Sequence, residues 1–168
     1  MKLAVSNIAW APARDREVFD SLQRLGVHAL EVAPTRLWPD WQGATPAAAR
    51  PFRRTLTDAG FQVPSLQAIL FAKPDCKLFG TETERVNLVN HLRLCADLAV
   101  QIGAVSLVFG APKNRARGEL SPSDAFSSAA ELFREVSRYY ASQNVCLCLE
   151  ANPPQYGCTF ITNSQEAA

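Results

Sequence analysis

Glu150 closes the run Val145-Cys-Leu-Cys-Leu-Glu150 and is followed at once by Ala-Asn152-Pro-Pro154, a stretch that cannot continue as helix. Alternation along an extended chain places Val145, Leu147 and Leu149 on one side and Cys146, Cys148 and Glu150 on the other. Apolar or small side chains on both faces mark a strand of a parallel sheet covered on both sides. An ionised Glu is costly in such a sheet unless it is paired or holds a metal. The carboxyl end of a strand relieves that cost, because α/β folds place their chemistry along this edge. A second carboxylate, Glu31, shares a side with Ala29 and Ala33, while Leu30 and Val32 face the other way. Both runs direct bulky aliphatics toward a helix layer and small residues plus a carboxylate toward a tight interior. Ser65 and Gln67 add polar groups at the same parity as Val63 in a third run. Two inward carboxylates on separate strands are an unusual filling for a purely structural core. The alternative for Glu150 is a solvated strand-end carboxylate paired with a nearby Arg.

The segments after the strand-like runs carry aromatic, amide and basic residues. Trp10 follows the first run, Trp38 and Trp41 the second, and Phe71 and Lys73 the third. Gly110-Ala-Pro-Lys113-Asn-Arg115 follows the fourth, and Asn152-Pro-Pro-Gln-Tyr156-Gly the fifth. Aromatic faces beside amides and cations suit a polyol or sugar: C–H faces stack, hydroxyls exchange hydrogen bonds, and a cation meets a phosphate or carboxylate. Duller readings stand beside this one. A loop Trp can simply cover a hydrophobic edge, and Lys113, Arg115 and Arg117 can form a solvated basic loop. His91 falls mid-helix beside an apolar stripe and reads as a packing residue. His28 lies at the amino end of its strand, away from the chemistry.

The elements that must position these residues are legible from punctuation. Four helix tails end in Gly or Asn directly before a strand-like run, at Gly26, Gly60, Gly103 and Asn144. Such repetition fits consecutive βα units. The predicted strands cover about 2–9, 28–33, 62–69, 104–109 and 145–150. Between them, Val18, Leu22 and Leu25 line a first helix, and Phe52, Leu56 and Ala59 a second, with Pro51 in its first turn. Leu88, Leu92, Cys95, Ala99 and Ile102 line a third that opens on a Thr81–Glu84 capping box. A fourth starts at Ser121-Pro122 and buries Phe126, Ala130, Phe133 and Tyr140, and a fifth begins at Asn163 or Ser164.

Two α/β architectures accommodate five parallel strands. A doubly wound sheet that binds a nucleotide usually carries a Gly-rich turn after its first strand, and Ile8-Ala-Trp10-Ala-Pro12 contains no glycine. A (β/α)8 barrel needs about 250 residues, so 168 residues would form a partial TIM barrel of five strands, four helices and the start of a fifth. Its two unpaired edges would invite a homo-oligomer or another pairing chain. A net charge of +1 gives no sign of a nucleic-acid tract, and no segment reads as a signal peptide or a membrane span. Cys76, Cys95, Cys146, Cys148 and Cys158 are an odd set without zinc-ribbon spacing, so reduced thiols in a cytoplasmic protein are the expectation.

SNIAW, LGVHALEVAPTRLW, SLQAILF, VFGAPKNR and CLEANPPQYGCTFITNSQEA together resemble the xylose isomerase-like TIM barrels, in particular the sugar phosphate isomerase/epimerase branch. The resemblance runs the whole length but over the amino-terminal five units only, so residues 1–168 are expected to be that part of one barrel domain. It implies a divalent metal (Mn²⁺, Mg²⁺, Co²⁺ or Zn²⁺) held by Glu, Asp, His and Glu from strands five to eight. Glu150 matches the first of these and would act as both catalytic carboxylate and metal ligand; the other three have no match in the chain. Glu31, Trp10, Gln67, Lys113, Arg115 and Asn152 are the expected substrate contacts. The implied activity is proton transfer next to a ketose carbonyl, on a small sugar or sugar phosphate, with the fragment alone incomplete and inactive. The competing expectation is a non-enzymatic half-barrel that dimerises and binds a small polar ligand. An endonuclease IV-like activity, also present among relatives of this branch, conflicts with the near-neutral charge and the lack of a basic stripe.

Overall fold

A helix that must stop and feed a strand needs one residue in the left-handed backbone region. Gly103 and Asn144 supply it at φ +94° and +56°, and Gly26 and Gly60 close the two earlier helices in the same way. The computed structural model, which describes residues 3–167, accordingly alternates strand and helix. The order is β1 (Val5–Ser6), α1 (Asp15–Arg24), β2 (Ala29–Val32), α2 (Pro46–Asp58), β3 (Gln62–Leu66), α3 (Glu82–Ile102), β4 (Ser106–Phe109), α4 (Pro122–Ser142), β5 (Cys146–Leu149) and α5 (Ser164–Ala167). All four pairings are parallel and the strands lie in the order β1-β2-β3-β4-β5. That order never reverses, whereas a doubly wound sheet reverses at its switch point, so the winding is that of a barrel. No helix among the described residues is long and apolar enough to cross a membrane.

Register separates the two faces of the sheet. Val32, Leu66, Leu107 and Phe109 are 0% exposed beneath the helices. Leu56 of α2 and Leu88, Leu92, Cys95, Ala99 and Ile102 of α3 seal that side, and the Tyr140 hydroxyl of α4 donates to the Leu92 carbonyl at 3.0 Å. On the opposite face, Ser6, Glu31, Ser65, Ser106 and Cys146 stand in one row across all five strands. One irregularity serves this row. Ala29 pairs with Gln62 and Glu31 with Ser65, so Val63 and Pro64 together oppose Leu30. Proline donates nothing to a ladder and is tolerated at such a bulge. Alternation counted along β3 therefore does not carry across it, and the parity inferred from Val63 fails as a guide to Ser65.

The structure corrects several sequence expectations. β1 is two residues long because Ser6 caps a 3-10 turn at Asn7–Ala9, and residue 2 lies outside the described residues. β3 stops at Leu66 because Ala68 turns left-handed, φ +52°. α2 begins at Pro46 under a Thr45 cap, which places Pro51 inside the helix. Leu25 is 77% exposed, one residue past the end of α1. In α4 the buried stripe is Ala125, Ala129, Leu132, Val136 and Tyr140, while Phe126 is 65% exposed. Two apolar phases one residue apart compete in that helix, and the small side chains win where it opens. Phe133 still packs edge-on against Phe109, ring centroids 5.4 Å apart.

His91 of α3 is buried, its Nε2 2.6 Å from the Ile69 carbonyl and its ring edge-on to Trp41. Neutral imidazole can donate Nε2–H there. Burial pushes the group below its ordinary value of 6.5. The unfolded chain thus binds a proton near pH 6.5 that the folded chain refuses. The contribution of His91 is fully present above pH 6.5 and is lost below it, by up to about 1.4 kcal/mol per pH unit until the folded group also titrates. In urea titrations, His91→Gln is expected to remove this slope; an identical slope in the variant would assign the decline to other groups.

Candidate active site

The carboxyl ends of the strands open onto a cavity of about 880 Å³. Glu31, Val108, Gly110 and Glu150 form the floor, and the loops after β3 and β4 form the wall. Asn114 joins those two loops: its Nδ2 donates to the Lys73 and Cys76 carbonyls, each at 2.7 Å, and its own carbonyl accepts from Leu78 N–H at 2.8 Å. That staple gathers Lys73, Lys77 and Lys113 onto one lining. Lys77 pairs with Glu84 at 2.7 Å, Lys73 lies 3.8 Å from Asp75, and Lys113 is exposed. Phe71 and Tyr156 contribute exposed aromatic faces to the same cavity.

Each floor carboxylate is set differently. Glu31 Oε1 accepts from Ser65 Oγ at 2.9 Å, across the β2–β3 register. Gln67 donates in turn to Ser6 Oγ, linking the third strand's end to the first. Glu150 is exposed toward the cavity; its N–H donates to the Phe109 carbonyl at 3.1 Å, extending the β4–β5 ladder by one residue. Gly110 faces it, and a Cβ at that position would overlap Glu150 Oε2. Its φ is not left-handed, so here glycine supplies room rather than conformational freedom.

Backbone strain gathers here. Ala68, Ala72 and Ala111 hold φ of +52°, +59° and +46°, and all three line the cavity. The left-handed region costs an L-residue with a Cβ about 1–2 kcal/mol. Residues held there persist where surrounding structure enforces them, and they concentrate at functional sites.

Of the residues expected from sequence, Glu31, Gln67, Lys113, Glu150 and Asn152 line the cavity together. Trp10 and Arg115 do not. Trp10 Nε1 donates to Asp15 Oδ1 at 2.7 Å, with Phe19 edge-on and Arg36 over its ring, so it ties the β1 loop to α1. Arg115 is 0% exposed and donates through Nη2 to the Glu150 carbonyl at 2.6 Å and to Asn152 Oδ1 at 2.7 Å. A side chain closed off from solvent cannot meet a ligand directly. Trp41, 7% exposed, donates to the Phe71 carbonyl at 2.7 Å and so covers a hydrophobic edge. The sequence reading missed Ser6, Asn114 and the role of Gly110. A glycine directly after a strand, where no helix needs to end, was the available signal for the last.

A divalent ion needs several oxygen, nitrogen or sulfur donors converging on one point. Among the described residues no three His, Cys, Asp or Glu side chains converge closely enough to hold one. Of the two floor carboxylates, Glu31 has Oε1 engaged with Ser65, and Glu150 is exposed toward the cavity. The described residues therefore do not by themselves make a complete metal site.

A family model described as xylose isomerase-like TIM barrel matches residues 19–168. No curated protein matches. Among solved structures, D-psicose 3-epimerase with D-tagatose from Clostridium cellulolyticum H10 aligns with a TM-score of 0.73 at 15% identity, over 99% of this chain and 57% of that one. The 3-keto-D-glucoside 4-epimerase from E. coli gives 0.68 at 15% identity, over 91% and 57%. A sugar phosphate isomerase/epimerase from Parabacteroides distasonis ATCC 8503 gives 0.61 at 11% identity, over 88% and 50%. At these identities the likeness is one of fold. The chain spans between 50% and 57% of the length of these three structures.

Gly110→Ala tests the floor. The added methyl meets the tip of the Glu150 side chain rather than backbone, so stability is expected to change by less than about 1 kcal/mol. A crystal structure of the variant should show the carboxylate swung out of its present position. An unmoved carboxylate would show that Gly110 is not what makes room for it.

Proposed function

The chain belongs to the xylose isomerase-like TIM barrel family, and from that premise we propose that it forms the amino-terminal five βα units of a barrel that moves a proton next to the carbonyl of a sugar or sugar phosphate. The observation that carries the reading is the convergence of Glu31, Gln67, Glu150 and Asn152 on one cavity at the strand ends. Glu150 is the group that takes the proton: its carboxylate is exposed to the cavity at the end of β5, and the room opposite Gly110 leaves it free to approach a substrate carbon. Return of the proton by Glu150 to the former carbonyl carbon, with the hydroxyl proton passing to the former carbonyl oxygen, isomerises the substrate; epimerisation needs a second acid on the opposite face to protonate the same carbon.

The remaining residues orient. Ser65 occupies Glu31 Oε1, which leaves Oε2 to accept from a substrate hydroxyl. Arg115 occupies Asn152 Oδ1, which leaves the Nδ2 donors for a substrate oxygen. Phe71 and Tyr156 offer faces to sugar C–H groups, and Lys113 offers a charge to a phosphate. A divalent cation (Mn²⁺, Mg²⁺, Co²⁺ or Zn²⁺), when bound, would polarise adjacent substrate oxygens, with Glu150 supplying one of its ligands.

Solvent exchange tests the reading. The complete barrel, incubated in D₂O with D-tagatose or D-fructose and Mn²⁺, is expected to place deuterium next to the carbonyl, detected by NMR. Glu150→Gln should lower the exchange rate by about 100-fold or more. Exchange that survives Glu150→Gln would remove Glu150 from its assigned role, and no exchange with either ketose would count against the activity.

A further inference from the structure

Arg115 sits on the 3-10 turn Pro112–Arg115 after β4, yet its guanidinium is spent on the end of β5. One nitrogen, Nη2, reaches the Glu150 carbonyl at 2.6 Å, Asn152 Oδ1 at 2.7 Å and the Ile161 carbonyl at 3.5 Å. Asn152 N–H also donates to the Ile161 carbonyl, at 3.2 Å. The side chain is 0% exposed, and its Nε and Nη1 have no hydrogen-bond partner among the described residues. Burying a cation with two donors unmet is costly, and a core Leu or Met would fill the space without that cost. Two backbone outliers hold the arrangement. Ala111 starts the turn at φ +46°, and Ile161, a β-branched residue, sits at φ +59°. A β-branched residue in the left-handed region is a true outlier, and such strain persists where a particular geometry is enforced.

We propose that Arg115 is the positioning residue for the candidate site: it fixes the backbone of Glu150 and the side chain of Asn152, so that the carboxylate and the amide face the substrate at a set separation. The proposal rests on Glu150 being the acting carboxylate. It assigns to the loop after β4 a control over the end of β5. Such supporting contacts typically change activity about 10- to 100-fold when removed.

The test uses Arg115→Met, which removes the buried charge while roughly keeping volume, and Tyr140→Phe as a control that loses a buried hydrogen bond elsewhere. In NMR spectra of protein with labelled Glu and Asn, the Glu150 carboxyl and Asn152 side-chain amide resonances are expected to move in Arg115→Met and to stay in Tyr140→Phe. Glu31 should stay in both. Arg115→Lys, which keeps the charge but loses the forked Nη2 contacts, should move the Glu150 resonance in the same direction, and it decides the matter should Arg115→Met fail to fold. An unmoved Glu150 resonance in folded Arg115→Met, or in Arg115→Lys where that variant decides, would overturn the proposal. In the exchange assay, kcat of Arg115→Met should fall about 10- to 100-fold with KM little changed. If the wild-type barrel exchanges no ketose proton, the proposed activity fails, and the resonances still decide the role of Arg115.

Discussion

Parallel register imposes one row, Ser6, Glu31, Ser65, Ser106 and Cys146, across the sheet. A parallel strand cannot shift by a single residue without turning its apolar set away from the helices. The sealed outer face, with Leu66, Leu107 and Phe109 at 0% exposure, therefore fixes the inner row as firmly as it fixes itself. Nothing in the row is bulky or strongly apolar. Hydroxyls, a thiol and one carboxylate make a polar row, within which Ser65 donates to Glu31, and Glu31 is the member of the row that reaches the cavity.

Above that base the chain accepts strain instead of regularity. Three alanines take left-handed backbone around one cavity, and Ile161 does so beside Arg115. Each could be relieved by a longer loop or a glycine, so the pattern marks where loop shape is held tightly. The holding groups are few: Asn114 between the β3 and β4 loops, and Arg115 between the β4 loop and the end of β5. Both lie in the four-residue turn Pro112–Arg115, which makes that turn the joint on which the cavity wall and floor are aligned.

Local chemistry made much of the fold legible beforehand. Helix stops at Gly103 and Asn144, the Thr81–Glu84 capping box and the stripe from Leu88 to Ile102 are properties of a few neighbouring residues, and all appear as expected. The bounds of β1 and β3 were not legible, because Ser6 and Ala68 end those strands through turns that several other residues could also make. The face of α4 failed for a different reason. Its sequence supports two phases, and the choice between Ala125 and Phe126 depends on how much space the neighbouring elements leave.

The candidate site divides along the same line. From the sequence alone came the run of βα units, the two carboxylates directed to one side, and the amide, aromatic and basic residues gathered at the strand ends, because alternation and turn chemistry act over a few residues. Only the tertiary structure decided which of them share a cavity. Arg115 and Trp10 have the same residue types as ligand-contacting groups elsewhere, but burial and partners drawn from distant parts of the chain turn them inward. Contacts separated by 35 or 37 positions, such as those from Arg115 to Glu150 and Asn152, follow from the packing of whole units against one another and leave no local pattern to read.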